Sequence, residues 1–167
     1  MDVDGVLTDG RLYYVPGPDG NPVEFKAFNS QDGLGFHMLN TLTTIKTGVI
    51  SGREAAATAE RARLLKMSFV YQGLLEKEAA FNEILARAQV KEEQVAFIGD
   101  DFTDVPLMGR VGLACAVANA RLEVKEIAHY VTKVPGGHGA VREIIELILK
   151  AQNQWDSVLK QYRLRKA

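Results

Sequence analysis

The chain has 167 residues, 47% of them apolar and 25% charged, which is the profile of one globular domain able to bury a core. Twenty basic residues against 21 acidic ones leave a net charge of −1, without the basic excess of a nucleic-acid binder. No apolar run reaches membrane-spanning length, no signal peptide is recognisable, and the single cysteine, Cys115, cannot form an internal disulfide; the expected compartment is the cytoplasm.

The chain opens with "DVDGVLTDG" (2–10), in which Asp2 and Asp4 are two apart and point the same way if the backbone is extended. Like charges so close repel, and they call for a cation or a shared proton. If Asp2 ends a parallel strand, the residues building that strand lie upstream of Met1, so the sequence reads as trimmed or late-starting. Residues 11–28, "RLYYVPGPDGNPVEFKAF", predict a β-hairpin around a Pro/Gly/Asp turn, with Tyr13, Tyr14, Val23 and Phe25 available to pack. An isolated hairpin is marginal in water, so this one is expected to lie against its own domain or another subunit.

A helix is expected over about 33–44. Beyond it, β-type runs at 47–51, 69–72, 95–100 and 113–117 alternate with helical patterns at 54–65, 77–88 and 104–111. The longest helix, 139–155, carries Val141, Ile144, Ile145, Ile148 and Leu149 on one face. Repeated βα units predict an α/β fold: a Rossmann-like three-layer sandwich around a central parallel sheet, with the hairpin protruding and no cap domain. A tail of about 156–167 follows, with Lys160, Arg163, Arg165 and Lys166 near its end.

In such sheets functional groups collect at the carboxyl ends of the strands. Four segments meet there: Asp2 with Asp4, then Ser51 with Gly52 and Arg53, then Lys77, and finally Asp100, Asp101 and Asp104 of "GDDFTD". This is the inventory phosphoryl transfer requires. One carboxylate attacks phosphorus, a second moves the proton, and a hard cation bridges anionic carboxylate and anionic phosphate. A hydroxyl and an ammonium hold the remaining phosphate oxygens.

"DVDGVLT" (2–8), Ser51, Lys77 and "GDDFTD" (99–104) resemble, in order, the four motifs of the haloacid dehalogenase-like phosphatases. The resemblance implies Asp2 as nucleophile, Asp4 as general acid/base, and Mg²⁺ held by Asp2, Asp100 and the Asp4 carbonyl. Ser51 and Lys77 would bind phosphate, Asp104 would orient Lys77, and Asp101 would support the metal shell. Only 26 positions separate Ser51 from Lys77, which leaves no room for an inserted cap.

"FNSQDGLG", "YQG" and "GGHGAVRE" add a likeness to capless sugar phosphatases, tetrameric enzymes acting on an acidic eight-carbon 3-deoxy-2-keto sugar phosphate of lipopolysaccharide synthesis. Their relatives act on nine-carbon sialic-type sugar 9-phosphates, with an acidic residue expected where Arg53 stands here. Arg53 and Arg61, eight apart, would share a helix face about 12 Å apart and suit phosphate and carboxylate at opposite ends of a long sugar. The tail would fold over a neighbouring subunit's site.

Plainer readings exist for most of these residues. Asp9 is a turn residue, and Ser51 and Gly52 also suit a helix cap. Asp101 divides evenly between helix cap and metal support, and Arg61 is more often a surface residue. Cys115 and His37 read as structural, and "PGGHG" (135–139) as either an anion site or a turn with His138 in solvent. Two functions of other classes stand beside the phosphatase. A phospho-receiver module shares the chemistry but places its acidic pair early and its phosphorylated aspartate mid-chain, the reverse of this order. A silent scaffold is opposed by the complete set of motif residues.

Overall fold

The computed structural model describes residues 1–165. Five strands build the parallel core, as a pair and a group of three. Strand β3 (Gly48–Ile50) lies beside β4 (Phe69–Tyr71), and β5 (Ala96–Gly99) pairs with β6 (Leu113–Ala116), which pairs in turn with the short β7 (Tyr130–Val131). These strands are apolar without polar alternation, as strands of a parallel sheet covered by helices are. The backbone of Met1 and Asp2 bridges the two halves. Ile50 N–H donates to the Met1 carbonyl at 3.0 Å, and Asp2 N–H donates to the Ile98 carbonyl at 3.0 Å. The first two residues thus make the hydrogen bonds of a strand's last residues, between β3 and β5. Below them, an apolar cavity of about 440 Å³ opens between β3 and β5, lined by Phe36, Phe81, Phe97 and Ile144 among others.

Helices α1 (Ser30–Leu42), α6 (Ala140–Ala151) and α7 (Trp155–Gln161) form one packed group. A second group contains α3 (Glu78–Ala88), α4 (Val105–Met108) and α5 (Leu122–Ile127), while α2 (Ala56–Leu64) links β3 to β4. α1 starts where the Asn29 side chain accepts the Gln31 N–H at 2.8 Å. α6 follows its sequence pattern, with Val141, Ile144, Ile145 and Leu149 buried and Ile148 half-buried. Asp32, buried in α1, accepts the Arg142 N–H at 2.7 Å and so caps the start of α6 from outside. Burial pushes its carboxyl up to about 6.

Several boundaries move. The pattern at 104–111 yields only a 3-10 turn (Phe102–Asp104) and the four-residue α4, which ends at Gly109, a poor helix former. The pattern at 139–155 breaks into α6 and α7 at Asn153, whose positive φ of 56° stops the first helix. The first part of the tail is helical and packed, as α7: Val158 is 2% exposed within the core, and Lys150 Nζ lies 4.6 Å above the Trp155 ring. Of the basic residues named there, Lys166 lies outside the described residues.

The hairpin forms as expected, from β1 (Tyr13–Pro16) and β2 (Pro22–Phe25) in antiparallel register. Tyr13 and Phe25 stack with centroids 5.2 Å apart, and the turn closes through Asp19, which accepts the Asn21 N–H. Leu12, Tyr14, Val15, Val23 and Phe25 remain exposed on it. Among the described residues no helix is long and apolar enough to cross a membrane, and no cap interrupts the segment between β3 and β4.

Candidate active site

The ends of the parallel strands bring the predicted groups to one point. Lys77, just before α3, is 2% exposed and donates to Asp2 Oδ1 at 2.6 Å and to Asp104 Oδ1 at 2.7 Å. The second Asp104 oxygen accepts the N–H groups of Asp100 at 3.0 Å and Asp101 at 3.4 Å. Both oxygens of Asp104 are therefore occupied in fixing Lys77 and the loop after β5, which is a positioning role. Burial alone would lower the Lys77 pKa, yet the facing Asp2 and Asp104 carboxylates hold it above its ordinary value.

Asp2, Asp100 and Asp104 can place one oxygen each within 4.8 Å of one another. With a single ammonium among three acids, the charges are not balanced. Burial raises the Asp2 carboxyl to about 6, against the pull of Lys77. Asp100 rises to about 8, through burial first and then the charges of Asp2, Asp104 and Asp101. A hard divalent cation fits this donor set, because it supplies the missing charge to oxygens that otherwise hold protons. Asp104 is already committed, so Asp2 and Asp100 are the carboxylates free to hold it.

These shifts set a pH dependence. A carboxyl raised above its ordinary 3.8 binds its proton more tightly in the folded state, so its contribution to stability is complete below that value. The contribution is lost as pH climbs through about 6 for Asp2 and about 8 for Asp100. The metal-free protein should accordingly melt several degrees lower at pH 8.5 than at pH 5.5. Added Mg²⁺ should raise the melting temperature more at the higher pH. Equal Mg²⁺ shifts at the two pH values in calorimetry would contradict the assignment.

Ser51 lies at the end of β3, 1% exposed, with its N–H bonded to the Tyr71 carbonyl at 2.9 Å. Its Oγ accepts the Arg53 N–H at 3.2 Å, which shapes the turn through Gly52. Ser51 does not cap α2, whose N-cap is Ala55 without a side-chain hydrogen bond, so the helix-cap reading is corrected to a turn contact. Gly5 is a position only glycine can fill: its φ is +97°, and a Cβ there would stand 2.1 Å from Asp100 Oδ2. Thr8 holds the same loop from below, its buried Oγ taking up the N–H groups of Gly5 and Gly10. The loop containing "PGGHG" packs on this one, and a Cβ on Gly136 would meet the Gly5 carbonyl at 1.6 Å. Its role is therefore close packing against the loop of residues 5–9, and His138 is exposed.

Three predictions change. Asp101 resolves as a cap, accepting the Phe102 N–H at 2.7 Å, and its carboxylate is not among the three that converge. Arg53 and Arg61 do not share a helix face, because α2 begins at Ala56 and Arg53 lies in the turn before it. Arg61 donates to the Asn29 carbonyl at 3.0 Å and lies over the Phe28 ring at 5.6 Å, so it braces the chain's own backbone. His37 is exposed on α1, while His129 accepts the Ala114 N–H at 2.9 Å. Cys115 is fully buried, with burial pushing its thiol up to about 12, which removes it as a nucleophile. Asp9 is the turn residue expected, accepting from Arg11 N–H and the Tyr13 hydroxyl.

Sequence reasoning missed Glu24 and Lys26. Lys26 donates to Asp4 Oδ1 and lies 3.2 Å from Glu24 Oε1, and Glu24 pairs with Arg53. Their signal was available: Glu24 and Lys26 alternate with Val23 and Phe25, so the hairpin has a charged face opposite its apolar one.

A family model described as haloacid dehalogenase-like hydrolase matches residues 64–145. A 3-deoxy-D-manno-octulosonate 8-phosphate phosphatase of Yersinia pestis is 47% identical over 92% of this chain and 79% of its own length. A crystal structure of the phosphatase of that name from Moraxella catarrhalis, in complex with magnesium, phosphate and KDO, aligns with TM-score 0.90 and 37% identity. That alignment covers 97% of this chain and 90% of the other. The cobalt-bound form of the Haemophilus influenzae phosphatase aligns with TM-score 0.85 and 39% identity, over 98% and 94% of the two chains.

Proposed function

The chain belongs to the haloacid dehalogenase-like hydrolase family, and from that membership we propose that it is a Mg²⁺-dependent phosphoric monoester hydrolase acting on 3-deoxy-D-manno-octulosonate 8-phosphate. The observation that carries the reading is Lys77 clamped between Asp2 and Asp104, with Asp100 beside them at the strand ends.

In this reading the Asp2 carboxylate attacks phosphorus, forming an aspartyl-phosphate as the bond to the sugar oxygen breaks. Asp4 delivers the proton that oxygen needs. Asp4 then takes a proton from water, whose oxygen attacks phosphorus and returns Asp2 as a carboxylate. Ser51 and Lys77 hold the non-bridging oxygens throughout, and Asp104 keeps Lys77 in place. Asp2, Asp100 and the Asp4 carbonyl would hold Mg²⁺, which when bound neutralises charge between nucleophile and phosphate.

Arg53, exposed beside Ser51, carries substrate choice in this reading. Arg53→Glu should lower kcat/KM for the eight-carbon substrate by about 10- to 100-fold, the worth of one charged hydrogen bond. A nine-carbon sialic-type 9-phosphate should lose less. Phosphate release from both sugars, with Mg²⁺ and with chelator, tests function and specificity together. An unchanged preference in the variant would remove Arg53 from specificity. No Mg²⁺-dependent release from either sugar by the parent protein would overturn the phosphatase reading.

The reading extends to a cytoplasmic homo-oligomer, a tetramer, in which the exposed apolar hairpin meets neighbouring subunits and closes the site that no cap covers. The basic tail then reaches a neighbour's substrate carboxylate. Truncation after Trp155 is a poor test, since loss of buried Val158 alone costs about 1.5–3 kcal/mol. Truncation after Tyr162 keeps α7 and should raise KM with little change in kcat. Unchanged steady-state kinetics would exclude the tail from binding.

A further inference from the structure

We propose that Lys26 is a positioning residue for Asp4, fixing which of its two carboxylate oxygens performs the proton transfers. The proposal rests on the phosphatase reading above. Lys26 directly follows β2, and its side chain is only 4% exposed although its ammonium reaches the active-site mouth. Burying an ammonium so completely is costly unless anions meet it, and two do. Lys26 Nζ donates to Asp4 Oδ1 and faces Glu24 Oε1 at 3.2 Å. The other Asp4 oxygen, Oδ2, is buried and makes no hydrogen bond.

That asymmetry is the substance of the inference. A carboxylate with both oxygens alike can rotate about its last torsion, a broad two-fold well. Clamping Oδ1 removes that freedom and leaves Oδ2 as the oxygen that exchanges a proton with the leaving group and then with water. Glu24 extends the clamp, since it pairs with Arg53 next to Ser51. The chain Asp4–Lys26–Glu24–Arg53 therefore ties the acid/base to the turn that is proposed to select substrate, and it makes the hairpin part of the working site.

The test exploits leaving groups. A simple alkyl phosphate needs its departing oxygen protonated, whereas nitrophenolate departs from p-nitrophenyl phosphate unprotonated. Neither contains the acidic sugar, and kcat/KM reports only steps through the first phosphoryl transfer. Lys26→Met should lower kcat/KM for propyl phosphate about 10²-fold, within the range of lost general-acid catalysis. The value for p-nitrophenyl phosphate should fall less than about 3-fold. Lys26→Arg, which keeps charge and donors in the same place, should recover most of the propyl phosphate rate. Equal losses on both esters in Lys26→Met, or no loss on either, would overturn the proposal while leaving the phosphatase reading intact. Failure of Lys26→Arg to recover any activity would overturn it as well. A parent protein that releases phosphate in Mg²⁺ neither from these esters nor from the sugar phosphates would overturn both readings.

Discussion

Asp2→Asn is expected to lower kcat/KM for monophosphate hydrolysis by about 10⁴-fold or more, as loss of a covalent nucleophile does. Asparagine is close to isosteric, so Lys77 keeps a neutral acceptor where it had Asp2 Oδ1, and Asp104 still holds its other side. The fold should survive. Removing one of three converging acids should even leave the metal-free variant at least as stable as its parent at pH 8, where the raised Asp2 carboxyl is otherwise ionised. Acid-quench labelling with ³²P-phosphate ester should trap protein-bound phosphate in the parent and none in the variant. Activity within about tenfold of the parent would put the nucleophile elsewhere.

Lys77→Met should damage both chemistry and folding. The ammonium is nearly inaccessible, its side chain 1% exposed, as is that of Asp104, so removal leaves two buried carboxylates without their cation. Breaking a buried pair from one side costs about 3–5 kcal/mol. The loss should be larger at pH 8 than at pH 5, because protonation relieves uncompensated acids at the lower pH. Mg²⁺ should restore part of the stability but not the rate, which should stay down about 10²- to 10³-fold for want of the phosphate-binding charge. Urea melts at both pH values, with and without Mg²⁺, measure the first effect. Initial rates measure the second. A destabilisation below about 1 kcal/mol would mean that Lys77 is not the counter-charge of the cluster.

The correspondence between residue pattern and structure was uneven in an instructive way. Element types along the core were legible because each rests on local periodicity: the α6 stripe of Val141, Ile144, Ile145 and Leu149 is buried as its spacing requires. Element ends were less so, since Asn153 stops α6 through its positive φ and α4 ends after a single turn at Gly109. In the site, Asp2, Lys77, Asp100 and Asp104 converge, Lys77 lying beyond the end of β4 and Asp100 and Asp104 beyond the end of β5, because parallel strands deliver their carboxyl ends to one edge. Asp2 reaches it through the backbone bond of its N–H to Ile98 at the end of the neighbouring strand.

The family likeness came from the same motifs, and the relatives bear it out. What the amino-acid sequence determined alone was therefore the α/β class, the phosphoryl-transfer inventory and its order. Only the tertiary structure decided who partners whom. It gave Arg61 to the Asn29 carbonyl, Asp101 to a cap, Glu24 to Arg53 and Lys26 to Asp4. The physical reason is range. Periodicity and strand-end placement are properties of neighbouring residues, but an ion pair across 22 positions of chain depends on how a hairpin folds back, and no local pattern carries that distance.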